Sequence, residues 1–287
     1  MLNKQDTGAL KGIAILCIVI HNFCHWLPMA VHENEYVFRL EDSLKLLHHV
    51  QMLHPQVLLN VFSHFGHYGV PVFLFLSGYG LVCKYERSRS NGLLSAHSSP
   101  AGASSVHALP EGLRFVRTHI VKLWQLMLPA LLLFVITQFA FRGSFEKEWS
   151  WALRLVTFTA NLFPTVNMIL GPWWFFSLIL QCYLLYRFVF ARFRSSAVLW
   201  GVTFATLALQ MGLYATDWHF TWDNTLVYAF EYYRYNAPGH LLAFAFGIEA
   251  ARKELNFPLW IAPVGVVLTV VSAFNVWLWF FSPLFAV

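Results

Sequence analysis

Residues 9–26 read ALKGIAILCIVIHNFCHW. The stretch is apolar and close to the length of about 20 residues that a helix needs to cross a bilayer. Yet it opens with Lys11 and places His21 and His25 four residues apart. Ionisable side chains at membrane depth are costly, and they face a cavity or a partner rather than lipid. Lys11 and His21 are separated by about 15 Å of helical rise, which sets His21 near the middle of a hydrocarbon core about 30 Å thick. His25 stands one turn further on the same face, and Asn22 lies between them, able to fix a tautomer. A neutral imidazole at that depth can act as a general base. The competing reading is a histidine hydrogen-bonded to a neighbouring helix for packing. Two histidines and a lysine on one apolar helix favour chemistry.

The rest of the chain follows the same pattern. Its 287 residues are 58% hydrophobic, 18% aromatic and only 11% charged, with mean hydropathy +0.55. That composition excludes an ordinary soluble domain and fits a polytopic membrane protein. The net charge of +5 does not indicate nucleic acid, because the basic residues lie in short loops between apolar segments rather than in one patch. Cys17, Cys24, Cys83 and Cys182 all sit in or beside apolar segments without a CxxC pair. They read as small buried hydrophobes, with neither disulfide nor metal implied. The first span carries no cleavage site and is expected to be retained as its own insertion signal.

Hydropathy places spans near 9–27, 57–83, 118–140, 172–190, 197–214, 238–250 and 259–281. The expected fold is an all-α, polytopic transmembrane helical bundle of about seven spans, in a single domain over 1–287. Segment 149–166 is apolar but short and carries Arg154, so it reads as interfacial. The positive-inside rule then puts the N-terminus in the cytoplasm. Loop 84–117 holds Lys84, Arg87, Arg89, Arg114 and Arg117, and the turn after the fourth span holds Arg187, Arg192 and Arg194. The first loop on the other side carries Glu33, Glu35, Glu41 and Asp42 against Arg39 and Lys45. The stretch 86–113 is rich in Ser, Gly, Ala and Pro and reads as a flexible cytoplasmic loop.

Other residues suit chemistry or packing. In the second span, Gly66, Gly69, Gly78 and Gly80 permit close backbone approach, and Pro71 predicts a kink. Ser77-Gly78-Tyr79 lies in its cytoplasmic third, where a polar lining is the expected role. His64 and His67 have ligand-like spacing, but no acid or cysteine is expected at their depth, so no metal is assigned. Arg114, Arg117 and Lys122 stand at the start of the third span, where basic side chains at a helix N-terminus make an anion site or simply anchor the topology. Trp173-Trp174 opens the fourth span as an interface anchor, and Gln181 within it needs a partner.

In order, these pieces resemble the membrane-bound acyltransferase family 3, the O-acyltransferases of bacterial surface glycans and related acceptors. That family opens with a helix of the form Leu-Arg-Gly-Ile-Ala running to a histidine; here it is Leu10-Lys11-Gly12-Ile13-Ala14, then His21. A Gly-Val-x-x-Phe-x-x-x-Ser-Gly-Phe helix follows, here Gly69-Val70 through Phe73 to Ser77-Gly78-Tyr79. Arg117, Lys122 and Pro129 match the basic start and proline of the third span. Trp174-Phe175 with Tyr183 matches the fourth loosely, and Phe244-Ala245-Phe246-Gly247-Ile248 matches a late Phe-Leu-Leu-Gly-Ile segment. The first basic residue is a lysine here, which keeps the charge but loses the bidentate fork. One residue fewer separates it from His21 than is usual, a turn of about 100°, so the base is either His21 or His25.

The resemblance implies an enzyme with no tightly bound cofactor. Acyl-CoA, as acetyl-CoA, is the co-substrate arriving from the cytoplasm, its phosphates held by Arg114, Arg117 and Lys122 with Lys11 nearby. The acceptor is a hydroxyl of a glycan or similar molecule at the outer side of a bacterial cytoplasmic membrane. Ser77 or Gln181 would steady the oxyanion, with Gly78, Tyr79 and Trp174 lining the path. Family members have about ten spans, so seven reads as a truncated fold. Two other classes compete: a proton-coupled transporter, whose inverted repeats are not visible, and a catalytically inactive homologue.

Overall fold

The computed structural model describes residues 2–24, 27–87, 110–144, 149–164 and 173–287. Among them five helices are long and apolar enough to cross a membrane: Lys4–Cys24, Val57–Arg87, Glu111–Arg142, Trp174–Phe193 and Ser196–Thr216. The fold class is therefore the expected helical membrane bundle. Two of the seven expected spans differ. Segment 238–250 is a short 3-10 turn, Ala237–His240, leading into a twelve-residue helix, Leu241–Arg252. Segment 259–281 holds another twelve-residue helix, Ile261–Ser272, and then breaks. Asn275 causes the break: its side chain accepts hydrogen bonds from the backbone N–H groups of Trp277 and Leu278 and starts a new turn, Val276–Trp279.

We label α1 Lys4–Cys24, α2 Leu40–Gln51, α3 Val57–Phe65, α4 Gly69–Val82, α5 Glu111–Arg142, α6 Trp149–Val156, α7 Trp174–Leu185, α8 Ser196–Thr216, α9 Ala229–Arg234, α10 Leu241–Arg252 and α11 Ile261–Ser272. The chain is not wholly α. Strands His219–Trp222 and Thr225–Tyr228 pair as an antiparallel hairpin. Its two-residue turn, Asp223-Asn224, has φ of 46° and 58°, the left-handed pair that a type I′ turn demands and that Asp and Asn tolerate best.

The second span bends at the 3-10 turn Gly66–Tyr68 rather than at Pro71. Pro71 is the third residue of α4, where a missing N–H costs no helical bond. Glycine sets the closest crossings. A Cβ on Gly66 would lie 2.6 Å from His21 Cβ, and one on Gly69 would lie 2.6 Å from Ala14 O, so both seat α1. A Cβ on Gly78 would meet Phe244 O, and one on Gly247 would meet Phe75 O. These two glycines lock α4 against α10, the most extensive helix pair in the fold. Gly80 has open space beside it, contrary to the expectation of close approach there.

At the far end of α4, Glu86 receives two hydrogen bonds from Arg252, at 2.8 and 3.0 Å. The Tyr186 hydroxyl donates to the same carboxylate at 3.1 Å, and Arg87 bonds Ala251 O and Glu254. This ionic knot ties the ends of α4, α7 and α10 together. All four cysteines are free thiols.

Candidate active site

The site begins on α1. Most of that helix is exposed; Ala14, His21 and Cys24 are its buried residues. His21 is 3% exposed, and its Nδ1 lies 2.8 Å from Ser63 O on α3. A carbonyl only accepts, so Nδ1 carries a proton, and in the neutral ring the basic atom is Nε2. Nε2 lies 4.0 Å from Glu35 Oε2. Asn22 bonds back to Ile18 O within its own helix and does not orient the ring. His25 lies outside the described residues.

Glu35 belongs to a loop that sequence patterning treats as an acidic exterior segment. The structure folds it inward and pins it at many points. Ser63 Oγ donates to Val31 O at 2.7 Å, and Val31 N donates to Asn60 Oδ1 at 3.1 Å. Asn34 Nδ2 donates to Ser43 Oγ at 3.1 Å, while Trp279 Nε1 donates to Asn34 O at 2.7 Å. His64 is part of the same fastening: its Nδ1 lies 2.8 Å from His32 O and its Nε2 3.2 Å from Ser43 Oγ. Burial pushes the Glu35 carboxyl up to about 8, the neighbouring Glu33 carboxylate adds to this, and Arg234 and the Tyr36 hydroxyl pull it back. Glu33, Glu35 and His21 hold potential ligand atoms within 4.8 Å of one another. That spacing admits a divalent cation, but a proton retained on Glu35 relieves the two carboxylates equally well.

A second group of residues closes on this one from the other half of the chain. Tyr36 stacks on Tyr235 with centroids 4.4 Å apart, and Trp174 packs edge-on against Tyr36 at 5.7 Å. His240 stacks on Trp174 at 5.4 Å. His67 lies 5.7 Å from His21, ring to ring. Arg234, the last residue of α9, is buried with its guanidinium 4.3 Å over the Trp279 ring. Asn161 and Gln181 hold these segments. Asn161 donates to Trp174 O at 3.0 Å and to Tyr235 O. Gln181 donates to Asn236 Oδ1 and accepts from Ala237 N, both at 2.8 Å.

The sequence-predicted residues thus divide. His21 and Trp174 come together. Gln181 supports the site from behind, with both ends of its amide engaged. Ser77 lies about two turns further along α4 and donates to Phe73 O of its own helix at 2.7 Å; Gly78 packs on α10, and Tyr79 bonds Leu2 O at 3.5 Å. Lys11 is exposed on α1. Arg114, Arg117 and Lys122 are exposed on α5, whose inward face is Phe115, His119 and Leu123. Arg114 and Arg117 stand in the first two turns of α5, at the end of the bundle that holds the Glu86–Arg252 pair, and Lys122 lies about a turn and a half further along the helix. Glu35, Arg234, Tyr235 and His240 are not among the expected site residues, and His67 is weighed there only for metal-ligand spacing with His64. The run His32-Glu33-Asn34-Glu35-Tyr36, a dense ionisable cluster directly after the first span, is the one signal that could have found Glu35.

The arrangement sets a tautomer-fixed imidazole beside a perturbed carboxyl, with aromatic rings and a buried cation around them. It suits proton removal from a hydroxyl. The chain has no significant match among curated proteins or solved structures. Residues 8–287 match the model of acyltransferase family 3, described as an acyltransferase domain, and the chain belongs to that family.

Proposed function

We propose that this membrane acyltransferase moves an acyl group, acetyl in the simplest case, from acyl-CoA to a hydroxyl of a glycan or similar acceptor. The reading is supported by His21, whose proton on Nδ1 is fixed by Ser63 O and whose Nε2 faces Glu35. The acceptor hydroxyl gives its proton to Nε2 as it attacks the thioester, and Glu35 steadies the imidazolium when ionised. Acyl-CoA arrives at the end of the bundle carrying Arg114, Arg117 and Lys122, where its phosphates meet guanidinium and ammonium groups. The acceptor approaches the His21 end. In a bacterial cytoplasmic membrane with the N-terminus inside, this passes the acyl group from a cytoplasmic donor to an outward-facing acceptor.

The test uses the purified protein in detergent with labelled acetyl-CoA, followed by release of CoA and transfer of label to a glycan acceptor. His21→Ala should lower turnover by about 10²–10⁴-fold with CoA binding retained. A wild-type protein that neither transfers nor hydrolyses acetyl-CoA, or a fully active His21→Ala variant, overturns the reading.

A further inference from the structure

Acyl transfer to a hydroxyl passes through a tetrahedral intermediate whose oxygen carries negative charge, and donors aimed at that oxygen supply much of the rate. His21 takes the hydroxyl proton, and Glu35 faces its Nε2. Ser77 and Gln181 already donate to Phe73 O and Asn236 Oδ1. Arg234 is differently placed. It is 6% exposed, and its Nε is buried without a hydrogen-bond partner. Trp279 at 4.3 Å and Phe230 at 5.9 Å cover the guanidinium face, leaving its N–H edge as the functional side. The next residue, Tyr235, stacks on Tyr36 at 4.4 Å, and Trp279, which covers the guanidinium, donates to Asn34 O, so Arg234 is held beside the two residues that flank Glu35. His67 Nδ1 and His240 Nε2 are likewise buried and unpartnered; the His67 ring lies 5.7 Å from that of His21, and His240 stacks on Trp174, which packs on Tyr36. Three polar atoms from three elements therefore lack a partner around one place.

We infer that Arg234 holds the acyl carbonyl oxygen and stabilises it as it becomes the oxyanion, an assignment that rests on the acyltransferase reading. The hydroxyl oxygen bonds to the thioester carbon while His21 Nε2 takes its proton, and the carbonyl π pair moves onto the oxygen facing Arg234. On collapse that pair re-forms the carbonyl and the C–S bond breaks with its electrons on sulfur. The imidazolium then returns the proton, giving ester and CoA thiol. Burial lowers Arg234 to about 10 while Glu35, Tyr68 and Tyr36 pull it back up, so the guanidinium stays charged at neutral pH. An oxyanion site differs from a ground-state anchor in what its loss does: a group needed only in the transition state changes kcat and leaves binding alone.

Full-length wild type, Arg234→Gln, Arg234→Lys and His21→Ala are compared in detergent for kcat and KM with acetyl-CoA, for binding of desulfo-CoA, and for thermal unfolding. Arg234→Gln should lose about 10²–10³-fold in kcat, with KM and desulfo-CoA binding within about twofold of wild type, and Arg234→Lys should recover part of the loss. Unchanged kcat in Arg234→Gln overturns the inference, as does a raised KM at intact kcat, which would make Arg234 an anchor for a permanent anion. If Arg234→Gln does not fold, Arg234→Lys decides: a kcat at least tenfold lower with normal desulfo-CoA binding supports the role, and wild-type kcat overturns it. Wild type inert toward acetyl-CoA sinks the acyltransferase reading and this one with it. Active Arg234 variants beside a dead His21→Ala sink this one alone.

Discussion

At the scale of single residues, Glu35 is where burial and charge compete most directly. A carboxyl ordinarily ionised by pH 5 is held protonated to about 8, first by burial and then by the Glu33 carboxylate. The unfolded chain lets that proton go near 4.5, so unfolding releases it throughout the interval between. The stability contributed by neutral Glu35 is complete below about 4.5 and is lost as pH rises through about 8, by up to about 1.4 kcal/mol per pH unit for one proton. Glu35→Gln keeps the shape and removes the proton. Its thermal midpoint in detergent should fall less than that of wild type between pH 5 and pH 8; equal falls would mean that Glu35 is ionised in the folded protein. His21 was legible in the sequence because an imidazole in an apolar helix has few bland explanations. Glu35 and Arg234 were not, because charged residues between spans are ordinary and only the folded chain shows these two turned inward.

Among the elements, the α4–α10 crossing depends most on single atoms. The Cβ missing from Gly247 would meet the Phe75 backbone, and that missing from Gly78 would meet Phe244 O. Backbone cannot rotate out of the way as a side chain can, so the helices must separate or shift. Gly247→Ala should destabilise the folded protein by about 1–3 kcal/mol and reduce detergent-extracted yield. Gly80→Ala, two residues from Gly78 on the opposite side of the same helix and facing open space, should stay within about 0.5 kcal/mol of wild type. Similar behaviour of the two variants would mean that the crossing is looser than its geometry. Hydropathy found the five long helices of the described residues, because each holds an apolar window long enough to cross a bilayer. It over-read 238–250, where a helix buried by protein is as apolar as one bathed in lipid, and 259–281, where an exposed apolar run is cut short at the Asn275 cap. The Asn275 cap and the Asp223-Asn224 turn were visible as residues, but their signals are local and a long hydropathy window averages them away.

For the whole molecule, the folded chain sorts its charges between two ends. Lys84, Arg87, Arg114, Arg117, Arg187, Arg192, Arg194, Arg252 and Lys253 fall at the end marked by the Glu86–Arg252 pair, where α4, α7 and α10 finish and α5 and α8 begin. The other end carries the loop from 27 to 56, with Glu33, Glu35, Glu41 and Asp42 and the site built on His21. Short loops rich in Lys and Arg stay in the cytoplasm during insertion. The basic end should therefore face the cytoplasm, and the His21 end the outside. That orientation also matches the chemistry proposed, since a charged acyl-CoA is made in the cytoplasm and cannot cross lipid. Single cysteines introduced into a cysteine-free background report it directly, because Glu41 and Arg192 are both exposed. A membrane-impermeant maleimide applied to intact cells should label Glu41→Cys and reach Arg192→Cys only after the membrane is opened. The reverse pattern would put the residues proposed to bind phosphate outside the cell, away from any pool of acyl-CoA, and would force the donor to be something other than a cytoplasmic thioester.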